Sequence, residues 1–518
     1  MLFSGSLSLP SAPSFNVSSM DISDNELRGP IPIDICSTFP NLRRLFISKN
    51  AIEGGIPPCL SDLKNLSVLD LSNNQLAGRV PEELIMKNSM RILRLSNNNL
   101  TGNVVHAILN ANGLKKLYLD GNNLSSEMKD TVVSTFDFMT SLVEIDLSNN
   151  RLYGKLPRWI GNVSSLSRLA LSNNSFDGSI PIKSCNLNEL EFLELSQNNF
   201  SGSLPSCLNP LSIKHVHLHE NIISGPLSLD FCNSDSLVTL DLRGNNLTGS
   251  IPILISTLSS LSVLLLTANR LHGRIPVELC ELQSLSIVDL SQNMFSVRLT
   301  GRIPPEFGNL TQIHSLNLSH NDLIRVIPSS FSKLKQLDSL DLSYNMAGKI
   351  PNQLVELDSL ELFSVAHNNL SGSIPEQKAQ LGTFYESSYE GNPFLCGPMI
   401  HKSCSKIDLP STVPTASNDE EEDSLLDLYV FRVSFLVSYA VMLLTTFVVL
   451  HINPYWRGLW FSFVETCFTA CRYSTVGNFL TNYICRRCVQ LSRRFDQSWF
   501  VSSVIDFSIL FVLHFIIN

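Results

Sequence analysis

The sequence predicts an α/β solenoid, with a parallel β-sheet on its concave face, short 3-10 helices or turns and second strands outside, and one transmembrane α-helix beyond the array. Three observations carry this reading. A sixteen-residue pattern, written out at Leu237–Pro252 as LVTLDLRGNNLTGSIP, returns at near-constant spacing through residues 1–375. An apolar run without Asp, Glu, Lys or Arg occupies 433–452. Acidic residues precede that run and arginines follow it.

The pattern generalises to L-x-x-L-x-L-x-x-N-x-L-x-G-x-I-P. Its Asn recurs at Asn25, Asn50, Asn74, Asn98, Asn122, Asn150, Asn174, Asn198, Asn221, Asn245, Asn269, Asn293, Asn321, Asn345 and Asn368, 23 to 25 residues apart except for two steps of 28. That period and signature are those of a leucine-rich repeat. In each unit x-x-L-x-L is a short strand whose leucines point inward while the intervening residues face out, because the side-chain period of a strand is two. The Asn stands where the chain leaves the sheet, and its amide can pair backbone groups that would otherwise be buried unbonded. Gly-x-Ile-Pro turns the chain on the outer side. Stacking buries each unit's leucines against the next and lines a concave surface with the sheet. By length alone 518 residues suggest about three domains of roughly 150 residues, but the repeat replaces that estimate with one array over 1–375.

Composition excludes one partner class. The net charge is −9 and no Lys/Arg cluster precedes Arg457, so nucleic acid is not expected. The twelve cysteines fall into three groups: six in the repeats (Cys36, Cys59, Cys185, Cys207, Cys232, Cys280), the pair Cys396 and Cys404, and four after the apolar run. This division suggests two redox compartments. The six in the repeats are expected to stay buried or to pair locally. No cationic segment followed by an apolar one opens the chain, and Phe3–Leu7 reads as the second half of a repeat. The expectation is therefore an array that starts inside a repeat, without an N-terminal cap.

These repeats resemble the extracellular arrays of plant receptor-like proteins and receptor kinases, whose units carry the same L-x-G-x-I-P half. The resemblance covers residues 1 to about 480. It implies a cell-surface protein binding a peptide, glycan or microbial protein. The leucines, asparagines and Gly-x-Ile-Pro segments are scaffold, so contacts should fall on the variable outward strand positions. Ser339, Asp341 and Ser343 are bland there, whereas Arg44, Phe46, Arg94, Lys116, Tyr118, Arg168, Phe192, Glu194, His215, His217, His219, Asp241 and Arg243 include the aromatic and Arg types enriched in binding hot spots. His215, His217 and His219 share one strand face, with Glu194 and Asp241 expected beside His217. Same-face residues stand about 7 Å apart along a strand and converge poorly on one ion. The expectation is therefore no metal, no cofactor, and a pH-sensitive ligand affinity. N-glycosylation sequons fall at Asn16, Asn65, Asn99, Asn123, Asn162, Asn173, Asn199, Asn246, Asn309, Asn317 and Asn369.

The array breaks twice. The step from Asn122 to Asn150 contains Ser126–Met139, which reads as an enlarged outer helix or loop. At Asn293–Pro304 the first half of one repeat joins the second half of another, near where relatives carry a non-repeat island. Asn345-Met-Ala-Gly348 lacks one residue, which should strain that turn. Residues 376–407 match the family's C-terminal cap, which implies a Cys396–Cys404 disulfide.

Residues 408–432 read as an acidic juxtamembrane linker, with Asp419, Glu420, Glu421, Glu422 and Asp423 consecutive. Residues 433–452 are long enough to cross a bilayer as a helix. Arg457, Arg472, Arg486, Arg487, Arg493 and Arg494 then place 453–518 in the cytoplasm and the repeats outside, a single-pass type I arrangement in the plasma membrane. Within this tail 500–517 is a second apolar stretch, interrupted by Asp506. Ser434 and Ser438 offer a small-x-x-x-small face, and Cys467, Cys471, Cys485 and Cys488 are candidates for palmitoylation. The tail has no phosphate loop, no His-Arg-Asp and no Asp-Phe-Gly, so it is not a kinase, and no enzyme is expected. The leading expectation is a kinase-less receptor that signals through a partner receptor kinase in defence or development. The alternatives are a truncated non-signalling decoy or pseudogene-like product, and a secreted inhibitor, which the apolar run disfavours.

Overall fold

The computed structural model describes residues 3–129, 141–205, 212–227, 235–295, 303–321, 323, 326–345, 347–375 and 379–404. The chain divides into two units, Met1–Asp408 and Leu409–Asn518, and the described residues all belong to the first. The expected linker, apolar run 433–452, tail and second apolar stretch lie outside the described residues. Among the described residues no helix is long and apolar enough to cross a membrane.

Fifteen three-residue strands, from Ser19–Asp21 to Leu362–Ser364, form one parallel sheet in sequence order. Each takes the central x-L-x of the pattern: in Lys116–Tyr118 the middle Leu117 is fully buried while Lys116 and Tyr118 face out. Parallel neighbours need a crossover of a dozen or more residues, and the rest of each repeat supplies it. In the unit Leu237–Pro252 that return runs through Asn246–Thr248, a strand of a second sheet, to the 3-10 helix Ile253–Thr257. Pro252 stands just before this helix with φ −70° and ψ 145°, a conformation its ring favours. Leu237, Leu240, Leu242, Leu247, Ile251 and Ile255 of this unit are all buried in one core that runs the length of the array.

The second strands assemble into two five-stranded parallel sheets and one of three strands. Ser4–Ser6 is the first of them and pairs Gly5 with Leu27, so the opening residues occupy the half-repeat position read from the sequence. Of the expected insertion Ser126–Met139, the part from residue 130 lies outside the described residues, and Glu127 bridges to Tyr153. The joint after Phe295 likewise falls at 296–302, outside the described residues. On either side of it strand Ile287–Asp289 pairs directly with Ser315–Asn317, so the long sheet continues without a missing rung.

The repeating Asn holds the corners. Asn245 donates through Nδ2 to Leu218 O at 2.9 Å and Leu242 O at 3.1 Å, and its Oδ1 accepts from Ile223 N at 3.0 Å. One side chain therefore pairs three buried backbone groups in two consecutive repeats, and the same geometry recurs from repeat to repeat. The residue before each ladder Asn has positive φ, as at Lys49, Asn173 and Glu220. At Gly121 the same position needs glycine for a second reason, since a Cβ would lie 2.3 Å from Asn97 Oδ1. Where Asn345-Met-Ala-Gly348 is one residue short, the ladder is rerouted. The Oδ1 of Asn368 accepts from the amide of Asn345 itself, and Asn345 Oδ1 accepts from Asn321 N at 3.0 Å more closely than from Leu323 N at 3.4 Å, where units such as that of Asn245 use the amide two residues further on.

The C-terminal end is closed by Phe394–Cys396, which pairs with Asn369–Ser373, and by the disulfide Cys396–Cys404. The cap also contains a further ladder residue. Asn392 donates to Val365 O and Tyr389 O and accepts from Leu370 N, each within 3.0 Å. Near the other end a Cys36–Cys59 disulfide ties two successive repeats, while Cys280 is buried and free. Cys207, Cys232 and the side chain of Cys185 lie outside the described residues.

Asn245→Ala should lower the free energy of unfolding by on the order of 3 kcal/mol, because three backbone groups lose their partner at once. Denaturant unfolding of parent and variant checks this, and a loss under about 0.5 kcal/mol would show that water replaces the amide there.

Candidate binding face

Register converts the outward strand positions into two rows running across the long sheet. One row reads Arg44, Val68, Ile92, Lys116, Glu144, Arg168, Phe192, His215, Thr239. The other reads Phe46, Asp70, Arg94, Tyr118, Asp146, Ala170, Glu194, His217, Asp241. The candidates fall in two runs, Arg94 to Tyr118 and Arg168 to Asp241, separated by the strand Glu144–Asp146. Arg44 and Phe46 stand apart, with strand Val68–Asp70 between them and the strand of Arg94.

Sequence reading missed Glu144, Asp146 and Asp70. Glu144 accepts from Lys116 Nζ at 2.6 Å and from the Tyr118 hydroxyl. Burial alone would raise the Glu144 carboxyl, but the bonds from Lys116 and Tyr118 outweigh it and hold the group below the usual carboxylate range. Burial and the bond to Glu144 push Tyr118 up to about 12. Asp146 lies 3.8 Å from Arg168 Nη2, and Asp70 lies 3.9 Å from Arg94 Nη1. The signal was available, since all three acids occupy outward strand positions, but two of them fall in the unit that follows the long step.

The centre of the band is aromatic. The Arg168 guanidinium carbon sits 3.9 Å from the centroid of the Phe192 ring, and the ring of His217 is 5.5 Å beyond it. Arg94 lies 5.3 Å from the centroid of Tyr118 in the same manner. Phe192 and Tyr118 thus form half-exposed platforms, each with a cation already over it.

The three histidines do not act as one group. His215 ends against Thr239, Nδ1 to Oγ1 3.1 Å, and burial followed by the nearby His217 and Lys214 depresses its pKa. His219 lies beyond the end of strand His215–His217, and the Asp241 carboxylate beside it raises its pKa. Asp241 is only 2% exposed. Burial would push its carboxyl up, but His217, His219 and Arg243 hold it well below the usual carboxylate range. Arg243 grips both oxygens, Nε to Oδ1 at 2.9 Å and Nη2 to Oδ2 at 2.8 Å. His215 and His219 are thus shifted in opposite directions, one by burial and the other by its carboxylate neighbour.

Of the sequon asparagines, only Asn317 lies on the long sheet, where its Oδ1 accepts from Ser319 N. The other ten sit on loops, outer helices or second strands, and none of the eleven is buried.

Comparison with known proteins agrees with this architecture. The family model described as leucine rich repeat matches 307–370, a two-copy model matches 40–79, and a single-repeat model matches 141–163, 189–211 and 236–258. These segments of the chain are leucine-rich repeats. Curated relatives are plant receptor-like proteins. Cuscuta receptor 1 of Solanum lycopersicum is 39% identical over 104 residues, 20% of this chain and 9% of that protein. The matched segment thus spans about a tenth of that relative's length. Among solved structures, a TDR receptor superposes with a TM-score of 0.64 at 28% identity, over 68% of this chain and 60% of that one. The leucine-rich-repeat ectodomain of the Arabidopsis receptor kinase HAESA, in complex with an N-terminally extended IDA peptide hormone ligand, gives 0.52 at 28% identity over 76% of each chain. The repeat family and this ectodomain fold are binding modules without catalytic function.

Two outcomes are expected from the pairings on this face. A double-mutant cycle on Arg168→Ala and Phe192→Ala should give a coupling of about 0.5–1 kcal/mol in equilibrium unfolding, and zero coupling would remove the cation–ring contact. Glu144→Gln should cost about 1 kcal/mol at pH 7, discounted for the partly exposed Lys116. Because the folded carboxyl is held low, this contribution is present above the ordinary carboxylate range. The gap between parent and variant should close as pH falls below about 4.

Proposed function

We propose that this chain is a kinase-less cell-surface receptor that takes an extracellular peptide on the band from Arg94 to Arg243. The observation that carries the reading is the run Arg168, Phe192 and His217 on three successive strands, joined to Tyr118 through the one strand Glu144–Asp146 between them. Extended peptides present alternating side chains and amide faces, and half-exposed aromatic platforms with arginines above them suit both. Most charges on the band are already paired with one another. A ligand therefore gains by inserting between existing pairs, which favours shape and aromatic contact over net charge. The HAESA ectodomain, similar in fold at 28% identity, is seen with a peptide hormone ligand, which supports the ligand class. Glycans or microbial proteins remain within reach of the same surface.

In this proposal 433–452 anchors the chain in the plasma membrane, the repeats lie outside with glycans on the exposed sequons, and a partner receptor kinase supplies the missing catalysis for defence or development. The short joint Asn293–Pro304 carries no island in the sequence. That observation favours the second reading, a truncated non-signalling decoy or pseudogene-like product.

Screening the full chain against synthetic extracellular peptides and microbial extracts should yield a ligand whose affinity drops tenfold or more, about 1.4 kcal/mol, in Phe192→Ala and in Arg168→Ala. A ligand indifferent to both changes places binding elsewhere. Co-purification of a receptor kinase, lost when 433–452 is exchanged for an unrelated apolar span, separates the receptor from the decoy.

A further inference from the structure

We propose that His217, His219 and Asp241 form a site for a divalent transition-metal ion of the zinc class, opening onto the solvent face of the long sheet. The expectation of no metal rested on strand spacing, and His219 does not obey that spacing. Strand His215–His217 ends two residues earlier, and the backbone turns through Glu220 at φ 53°. The ring of His219 is thereby brought to the same carboxylate that His217 faces in register. Nδ1 of His219 lies 3.0 Å from Asp241 Oδ2, and Nδ1 of His217 lies 4.0 Å from the same oxygen. One donor atom from each of the three residues falls within 4.8 Å of the others. Donors around a tetrahedral zinc ion with bonds of about 2.0–2.2 Å stand roughly 3.4 Å apart. Side-chain adjustments of about an ångström therefore close the set. Two imidazoles and a carboxylate are the ligand types zinc takes, and three protein donors leave a fourth position open.

A second observation points the same way. Nδ1 of His219 is buried and has no hydrogen-bond partner, although Oδ2 of Asp241 lies 3.0 Å away. Buried polar atoms are nearly always paired, and an ion between the nitrogen and Oδ2 would satisfy both. The surrounding groups are compatible with occupancy. His215 is engaged by Thr239 and is not a donor. Glu194, opposite His217 on the other neighbouring strand, is bonded to Ser196 and adds negative charge nearby. Arg243 is the competitor: its Nη2 holds the oxygen the ion needs, while its Nε holds Oδ1. The Arg243 side chain is 42% exposed, so solvent is open to it on one side. On metal binding the Nη2 contact is given up, and the Nε contact remains to orient the carboxylate from the outer shell.

The test is calorimetric titration of the full chain, free of any polyhistidine tag, with zinc chloride, and optical titration with cobalt(II). The expected result is one equivalent bound, a tetrahedral cobalt spectrum, and affinity weakened at least tenfold in His217→Gln and in His219→Gln. The exposed His272→Gln should bind as the parent does. Arg243→Gln, which removes the competing cation without touching a donor, should bind at least threefold more tightly, and this variant keeps the test decisive if a histidine variant misfolds. Absence of binding, an octahedral cobalt spectrum, or parental affinity in both histidine variants would overturn the site.

Discussion

The array depends on one amide. Each strand of the long sheet ends at a buried corner where the chain turns away and its peptide groups point where no neighbouring strand can reach them. An unpaired carbonyl or N–H would cost about 1–3 kcal/mol at each corner group, a sum over the array far larger than the marginal stability of a folded chain. The Asn side chain reaches two carbonyls and one N–H across two units, so the corner of each repeat is completed by the next. Stability is thereby shared between nearest neighbours along the whole array, which is why the repeat tolerates variation nearly everywhere except at this residue and the inward leucines.

Much of this was legible because two periods are superposed in the sequence: the twofold alternation that assigns each strand residue to a face, and the repeat that stacks equivalent residues. Together they place Glu194 and Asp241 beside His217 without any structure in hand. What escaped lies where one of the periods lapses. Glu144 and Asp146 follow the long step after Asn122, so they were not aligned with the charged residues they neutralise. Asn392 was hidden within a cap read only for its cysteines. His219 was assigned to a strand that ends before it, and a period of two cannot describe a side chain beyond the strand end. Pairing itself was also out of reach, since whether Arg168 chooses Asp146 or the face of Phe192 depends on distances of a few ångströms.

The binding face is therefore less a positive or negative surface than a closed circuit of pairs. Arg94 with Asp70, Lys116 with Glu144, Arg168 with Asp146 and Arg243 with Asp241 leave little free charge to attract a ligand from a distance. Recognition on such a surface is decided at short range, by what displaces which partner. The same property makes the face selective, because a poorly shaped ligand would break pairs without replacing them.

The rerouted bond at Asn345 has a consequence for how such a chain can change. One residue is absent there, yet the neighbouring Asn368 accepts the nearer amide and the strands on both sides keep their register. An array that absorbs a deletion inside a single joint separates the length of a unit from the number of its rungs. Recombination between misaligned copies of such a gene then yields chains that still stack, and outward residues can be shuffled into new neighbourhoods faster than point substitution alone would allow.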